Sequence, residues 1–435
     1  HIRKLASEIP GPKAYPLIGN ILNFLAWTQE ESFKKYVSLA RKYFPTVRFW
    51  AGPYLIISVS DPCDLEILMN SEKCLGRERC KNVLNKYPLG DGLIFNWRGA
   101  MEDSQEVYSL FFSLPICETV VGIEMKGQEK ASEKYINSTD TFNGILTEMF
   151  LKPWLLNPIV IRLTSYHKKM TDNEHFIKKT KEYREKINQQ VSTRVNLGNS
   201  PNKDRPSLID SMIHMIEHNE CVLTKKEIIG EINSTIMGGM ETTASSLSFT
   251  MMLLGFHQDV QRKVQEELDA DVQRKVQEEL DAVFGDDVER SVSMEDLNNL
   301  KYTEQVIKES LRLYPVAPFV PRNTTEDIKV TNYTFPKDCE VIFNIYSLHH
   351  EFDPENFSPE RSKGRHPYSF LPFSGGFRKC VGYKYAMLQM KIVLATVLRH
   401  FTVHPACDRK EIDRWAFSVI LKLVNGYKIR LVPRG

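Results

Sequence analysis

Apolar residues recur at every fourth position through Ile228, Ile232, Ile236 and Met240, a stripe that predicts one face of a helix. Thr224-Lys225-Lys226-Glu227 reads as a capping box at its start, with Leu223 and Ile228 spaced as a hydrophobic staple. Beyond Leu247 the stripe broadens through Phe249, Met251, Met252, Leu253 and Leu254. The helix is therefore expected to run from Thr224 to about Gly255 and to end inside a core. A second helical segment carries Glu309-Ser310-Leu311-Arg312 and is stopped by Pro315. A third is expected to open at Tyr383-Lys384-Tyr385. Short strands are expected at Val47–Ala51 and Tyr54–Val59, with more between 328 and 343. Asn425-Gly426, between Leu421–Val424 and Tyr427–Leu431, is a strong hairpin signal.

One pattern breaks the periodicity. Asp259 to Ala270 is repeated verbatim as Asp271 to Ala282. Two copies are too few for a solenoid. Twelve residues at about 100° each rotate the second copy by about 120° from the first, and add about 18 Å of helix. Val260/Val264/Leu268 and Val272/Val276/Leu280 therefore cannot share one groove on a straight helix. One copy is expected to dock and the other to loop out or project into solvent.

Composition adds bounds. The 435 residues are 42% hydrophobic and 26% charged, with a net charge of +2. No linker, low-complexity run or composition break divides them, so a single domain is expected. The near-neutral balance gives no sign of nucleic-acid binding. The eight cysteines form no Cys-x-x-Cys pair, and reduced thiols in a cytosol-facing domain are the expectation.

The chemistry concentrates in three places. Phe373-Ser374-Gly375-Gly376-Phe377-Arg378-Lys379-Cys380-Val381-Gly382 holds a cysteine among glycines. Gly375, Gly376 and Gly382 permit tight turns that bring amide N–H groups towards the sulfur. A free thiol titrates near about pH 8.5, so a ligating Cys380 must be held ionised, by a metal and by the positive end of the helix that follows. A buried cysteine in a glycine-rich turn is the plain alternative for Cys380 taken by itself. Upstream, Glu309 and Arg312 are three apart on a helix, so carboxylate and guanidinium can meet. In the long helix, Gly238-Gly239-Met240-Glu241-Thr242-Thr243 places two costly glycines before an acid and a hydroxyl able to relay protons.

These motifs, in this order, closely resemble those of the cytochrome P-450 family of haem-thiolate monooxygenases. The detail is closest to the fatty-acid-hydroxylase clan and its insect relatives, as in Arg365-His366-Pro367-Tyr368-Ser369-Phe370-Leu371-Pro372-Phe373 and Ile116-Cys117-Glu118-Thr119-Val120-Val121-Gly122. The resemblance implies a mainly α fold with small β-sheets in one haem domain. It makes Cys380 the iron ligand. Phe373 shields the sulfur, Gly376 and Gly382 shape its loop, and Arg378 and Arg322 pair with haem propionates. Glu309 and Arg312 form the ion pair beneath the haem, and Glu241 and Thr242 are the catalytic proton relay. The implied cofactor is haem b, held without a covalent link apart from the Cys–iron bond, because Gly238 stands where some members of the clan carry a linking Glu. The implied reaction inserts one atom of O2 into a lipophilic substrate (a fatty acid, hormone-like lipid or xenobiotic). NADPH supplies the electrons through cytochrome P-450 reductase, with cytochrome b5 as a further donor. Arg378, Lys379 and Lys384 form a basic surface suited to an acidic flavin domain. Substrate contacts fall on the long helix and on Val316–Val320.

Ile9-Pro10-Gly11-Pro12-Lys13-Ala14-Tyr15-Pro16 resembles the proline-rich hinge that follows the membrane anchor of microsomal members, and no apolar run of about eighteen residues is present. Residues 1–20 are thus expected to be that hinge, and 21–435 the catalytic domain of a protein tethered to the endoplasmic reticulum. Three departures from the family pattern stand out. The fourth residue after Trp97 is Met101 rather than a propionate-binding Arg. Only residues 98–115 separate this region from Ile116, where members of the family carry about two more helices. The third charge expected beside Glu309 and Arg312 is Asn356, unless Arg361 reaches in. The competing functions are a haem-thiolate isomerase or dehydratase needing no external electrons, which Glu241-Thr242 argues against, and a non-catalytic haem-binding pseudoenzyme.

Overall fold

The computed structural model describes residues 1–24, 28–76, 225–263, 293–348 and 357–433, with positions 147, 152, 189, 214 and 218. Thr224, the 98–115 segment, Ile116–Gly122, Asn356 and the whole second copy of the repeat lie outside the described residues. The described helices used below are α1 (Ile2–Glu8), α2 (Gln29–Lys42), α3 (Pro62–Met69), α4 (Lys225–Phe256), α5 (Met294–Asn299), α6 (Lys301–Leu313) and α7 (Tyr383–His400). The strands are β1 (Thr46–Ala51), β2 (Tyr54–Val59), β3 (Phe319–Asn323), β4 (Ile328–Lys329), β5 (Thr334–Phe335), β6 (Glu340–Asn344), β7 (Phe401–Pro405), β8 (Trp415–Ser418), β9 (Ile420–Leu423) and β10 (Ile429–Pro433).

The main sheet runs β1-β2-β6-β3, with β2 and β6 parallel and the outer pairs antiparallel. One core cluster joins Phe33 and Tyr36 of α2 to Phe49, Phe319 and Ile342 of the sheet, and reaches Phe417 and Leu421 beyond it. A second gathers Ile9, Ile57, Leu65, Leu68, Val341 and Phe343. The third, formed by helices, packs α6 residues Val306, Ile307 and Leu311 against Met390, Leu394 and Leu398 of α7. α4 belongs to two of these at once. Phe249, Met252 and Leu253 face the first cluster, while Leu247 and Leu254 face the third. That is why its apolar stripe broadens after Leu247: a helix passing between two cores needs apolar residues on opposite sides.

Sequence pattern and structure agree closely on α4, on the end of α6 before Pro315 and on the start of α7 after Gly382. The hairpin at Asn425-Gly426 is a correction. The turn is there, with Gly426 at φ 73°, but the strands flanking it do not pair with each other. β9 pairs with β8 around Val419, and β10 pairs with β7. Between the two strands Tyr427 meets Phe249 of α4 edge-on at 5.2 Å, a packing contact that a local turn signal does not encode.

The opening of the first repeat copy is docked. Val260 is buried and Gln261 is 1% exposed. The Gln261 amide donates to Val403 O at 2.8 Å and accepts from Val403 N–H at 2.5 Å.

Candidate functional site

The Cys380 loop is shaped by its own backbone. Cys380 N–H donates to Phe373 O at 2.8 Å, Lys379 N–H to Gly376 O at 3.1 Å, and Ser374 N–H to Leu371 O at 3.1 Å. Ser374 and Gly376 both take left-handed conformations, φ 58° and 62°. At Gly376 a Cβ would run into the Met69 carbonyl at the end of α3, so glycine is required there by conformation and by contact. The amides of Lys379 and Cys380 close the turn on carbonyls within the loop. One detail of the sequence reading is corrected. Gly382 sits at φ −79°, which any residue adopts, so the turn does not demand glycine at that position.

Cys380 is half-buried at the mouth of α7. Phe373 packs beside Tyr383, ring centroids 6.2 Å apart, at the margin of the helical cluster. Arg378 is also half-buried, and loss of solvent lowers its hold on the proton from the ordinary guanidinium value. Lys379 and Lys384 are exposed, and Lys379 lies 4.2 Å over the Tyr383 ring.

Arg322 is 2% exposed on β3. Its guanidinium lies 5.7 Å from the Phe343 ring centroid, and its Nη1 donates to Pro321 O at 2.9 Å. Its charge also reaches Cys74, whose thiol burial pushes up to about 12 against the pull of that cation.

On α6, Glu309 and Arg312 meet as their spacing requires. Both are buried, and Arg312 donates Nε to Oε2 and Nη2 to Oε1. Arg361 is exposed, whereas Glu309 is fully buried. Lys391 of α7 adds a second tie, to Glu304 at 2.6 Å and to Leu297 O at 3.0 Å. Leu311 of α6, Leu247 of α4 and Phe373 of the loop all border the same cluster. The fold thus gathers the three motifs around one core.

On α4, the Thr242 hydroxyl donates to Gly238 O at 3.0 Å, Ser246 to Thr242 O at 2.8 Å and Thr250 to Ser246 O at 2.8 Å. Such back-bonding loosens a helix locally, beside two glycines that already weaken it. Glu241 points elsewhere, and accepts from Lys422 Nζ of β9 at 3.3 Å. The sequence reading missed Lys422 and Lys391. Lys422 alternates with Leu421 and Leu423, which reads as a solvent-facing strand position. Lys391 had a usable signal, a lone charge in the apolar run Met390-Lys391-Ile392-Val393-Leu394.

Comparison with known proteins places this geometry in context. The cytochrome P-450 family model matches residues 99–270 and again 269–431. Cytochrome P-450 4V2 of Rattus norvegicus is 28% identical over 491 aligned positions, covering 97% of this chain and 89% of the relative. The Homo sapiens protein of the same name is 28% identical over 483 positions, with the same coverage. Cytochrome P-450 4c3 of Drosophila melanogaster is 26% identical over 501 positions, covering 99% of this chain and 90% of the relative.

Proposed function

The chain belongs to the cytochrome P-450 family, and from that premise we propose that it hydroxylates a fatty acid, hormone-like lipid or xenobiotic with O2 and electrons from NADPH. The observation that carries this reading is the closed, half-buried Cys380 loop at the start of α7, with the buried Glu309–Arg312 pair on the helix packed against it. Family membership supports the coarser statement, a haem-dependent monooxygenase with a cysteine thiolate ligand, a reductase partner and a lipophilic substrate.

The residues present fit a haem by the chemistry of their donors. Cys380 offers a thiolate at a helix N-terminus, and guanidinium groups are offered by half-buried Arg378 and buried Arg322. A desolvated cation favours an anionic partner such as a carboxylate. The buried Ser374 hydroxyl, which makes no hydrogen bond, adds a polar group within the loop. When bound, thiolate-ligated haem supplies the O–O bond-cleaving chemistry. Glu241, partly exposed, takes a proton from solvent. Thr242 accepts it on its hydroxyl oxygen while giving up its own, so one proton passes through per step. Phe373 keeps water from the sulfur.

We place the protein at the cytosolic face of the endoplasmic reticulum, with cytochrome P-450 reductase and cytochrome b5 as electron donors. Among the described residues no helix is long and apolar enough to cross a membrane. Support comes from the proline-rich stretch, where Leu17 is 95% exposed and Tyr15 and Leu22 about half exposed, an apolar surface suited to lipid. Lys379 and Lys384 supply the exposed basic charge for an acidic flavin domain.

The test is the carbon monoxide difference spectrum of the reduced protein. A Soret band at the long-wavelength position of thiolate-ligated haem is expected, and Cys380→Ser abolishes it. Retention of the same band and of NADPH-dependent turnover in that variant refutes the assignment.

A further inference from the structure

His214 and His218 precede α4 in the chain and belong to none of the motifs described above. The His218 N–H donates to His214 O at 3.0 Å, which sets one helical turn between them. Residues four apart on such a turn share a face. The two imidazoles lie side by side there, with ring centroids 4.0 Å apart and planes 19° from parallel. Both side chains are exposed.

The ring of His218 has its two nitrogens in fixed roles. Its Nδ1 lies 2.9 Å from His214 O. A carbonyl oxygen can only accept, so Nδ1 carries the hydrogen and donates it. In the neutral ring Nε2 then holds a lone pair and no proton. Histidine ligates metals in this arrangement, with one nitrogen tied to a backbone carbonyl and the other turned to the ion. His214 brings a second imidazole to the same side, at the spacing by which two helical histidines grip one cation. Among the described residues no cluster of three such ligands is present, so water completes the coordination. Mg2+ and Ca2+ seek oxygen ligands, whereas Ni2+, Cu2+ and Zn2+ suit imidazole.

We propose that His214 and His218 form a surface site for a late first-row divalent cation, held through the two imidazoles. The plain alternative is a turn on which the His218 ring merely caps a carbonyl.

The two roles separate because the capped oxygen belongs to the backbone. His214→Gln removes one imidazole and leaves the His218 ring its carbonyl, so the cap survives and the cation site does not. The experiment titrates the full, haem-loaded chain calorimetrically with nickel chloride, beside magnesium chloride as the oxygen-ligand control. Ni2+ is expected to bind the wild type about ten-fold or more tightly than it binds His214→Gln or His218→Gln. The variant lacking both rings gives the background of other histidines and thiols, and no saturable Mg2+ binding is expected at the pair. Thermal unfolding is the second readout, because a cation held by the folded state stabilises it. The shift is expected to be larger for Ni2+ than for Co2+ or Mn2+, and to shrink in both single variants. An unchanged urea midpoint for His214→Gln shows that the cap persists, and His214→Asn replaces it should that variant fold poorly. No saturable Ni2+ binding by the wild type, equal binding by wild type and His214→Gln, or loss with His218→Gln alone overturns the proposal.

Discussion

Arg312 holds Glu309 by two parallel hydrogen bonds of 2.6 Å each, in a place where the carboxylate has no exposure to solvent. Two buried charges are tolerated there because they are paired and hydrogen-bonded. Removing one leaves the second stranded. Arg312→Lys supplies the charge without the planar fork, and Glu309→Gln removes the anion. Each is expected to lower folding stability by about 3–5 kcal/mol. Replacing both, as Glu309→Leu with Arg312→Met, is expected to recover most of that loss. Urea unfolding of the three variants beside the wild type measures it, and equal losses in single and double variants contradict the account.

Gly376 and Gly364 form a matched pair for testing the Cys380 loop. Both are left-handed, at φ 62° and 79°. At Gly364 a Cβ meets nothing within 4 Å, whereas at Gly376 it strikes the Met69 carbonyl. Gly364→Ala therefore carries only the conformational cost, about 1–2 kcal/mol. Gly376→Ala adds a collision with backbone that cannot move aside, and is expected to cost about 3 kcal/mol or more, with loss of haem retention. Thermal unfolding and haem content of the two variants decide it. Equal effects would mean that the contact with α3 is unimportant.

Glu304 makes stability depend on acid. Burial alone raises its pKa, but hydrogen bonds and charge from Lys308 and Lys391 outweigh burial, and the folded value lies below the ordinary 4.5. A depressed carboxylate stabilises the fold above its unfolded pKa. That contribution is lost as pH falls through the folded value. Between about pH 6 and pH 3, wild-type stability is thus expected to fall more steeply than that of Glu304→Gln. Urea midpoints across that range check the slope, and parallel curves would remove Glu304 from the acid response.

These tests rest on features of differing legibility. Glu309 and Arg312 were readable because helix geometry alone brings i and i+3 together, and α4 because its apolar positions report two cores. The Cys380 loop was readable as chemistry but not as hydrogen bonding, since which carbonyl each amide meets depends on the closed turn. Strand pairing after Leu421 was not readable. A local Asn-Gly signal marks the turn, but its arms pair with β8 and β7 instead of each other, a choice set by packing partners outside the turn. Lys422 was hidden for a related reason, because a cation between two leucines looks solvent-facing until α4 is packed beside it.

The repeat gives the last prediction. Residue for residue, Gln261 and Gln273 are the same position of two identical copies, yet rotation by about 120° forbids both from meeting one partner on a straight helix. Gln261 is joined to Val403, through a donor and an acceptor, and it also donates to Leu254 O at 3.2 Å. The two parts of the family match overlap at residues 269 and 270, where the first copy ends. Gln261→Ala takes from the Val403 N–H the acceptor it has here, while Val403 O still accepts from Gln258 Nε2 at 3.0 Å, and is expected to cost about 1–3 kcal/mol. Gln273→Ala is expected to cost under about 0.5 kcal/mol, and deletion of residues 271–282 to leave stability unchanged or higher. Hydrogen exchange gives an independent measure, with strong protection expected at Val403 and at the start of the first copy. Equal protection through both copies, or equal losses from the two alanine variants, would mean that the fold has absorbed the whole repeat.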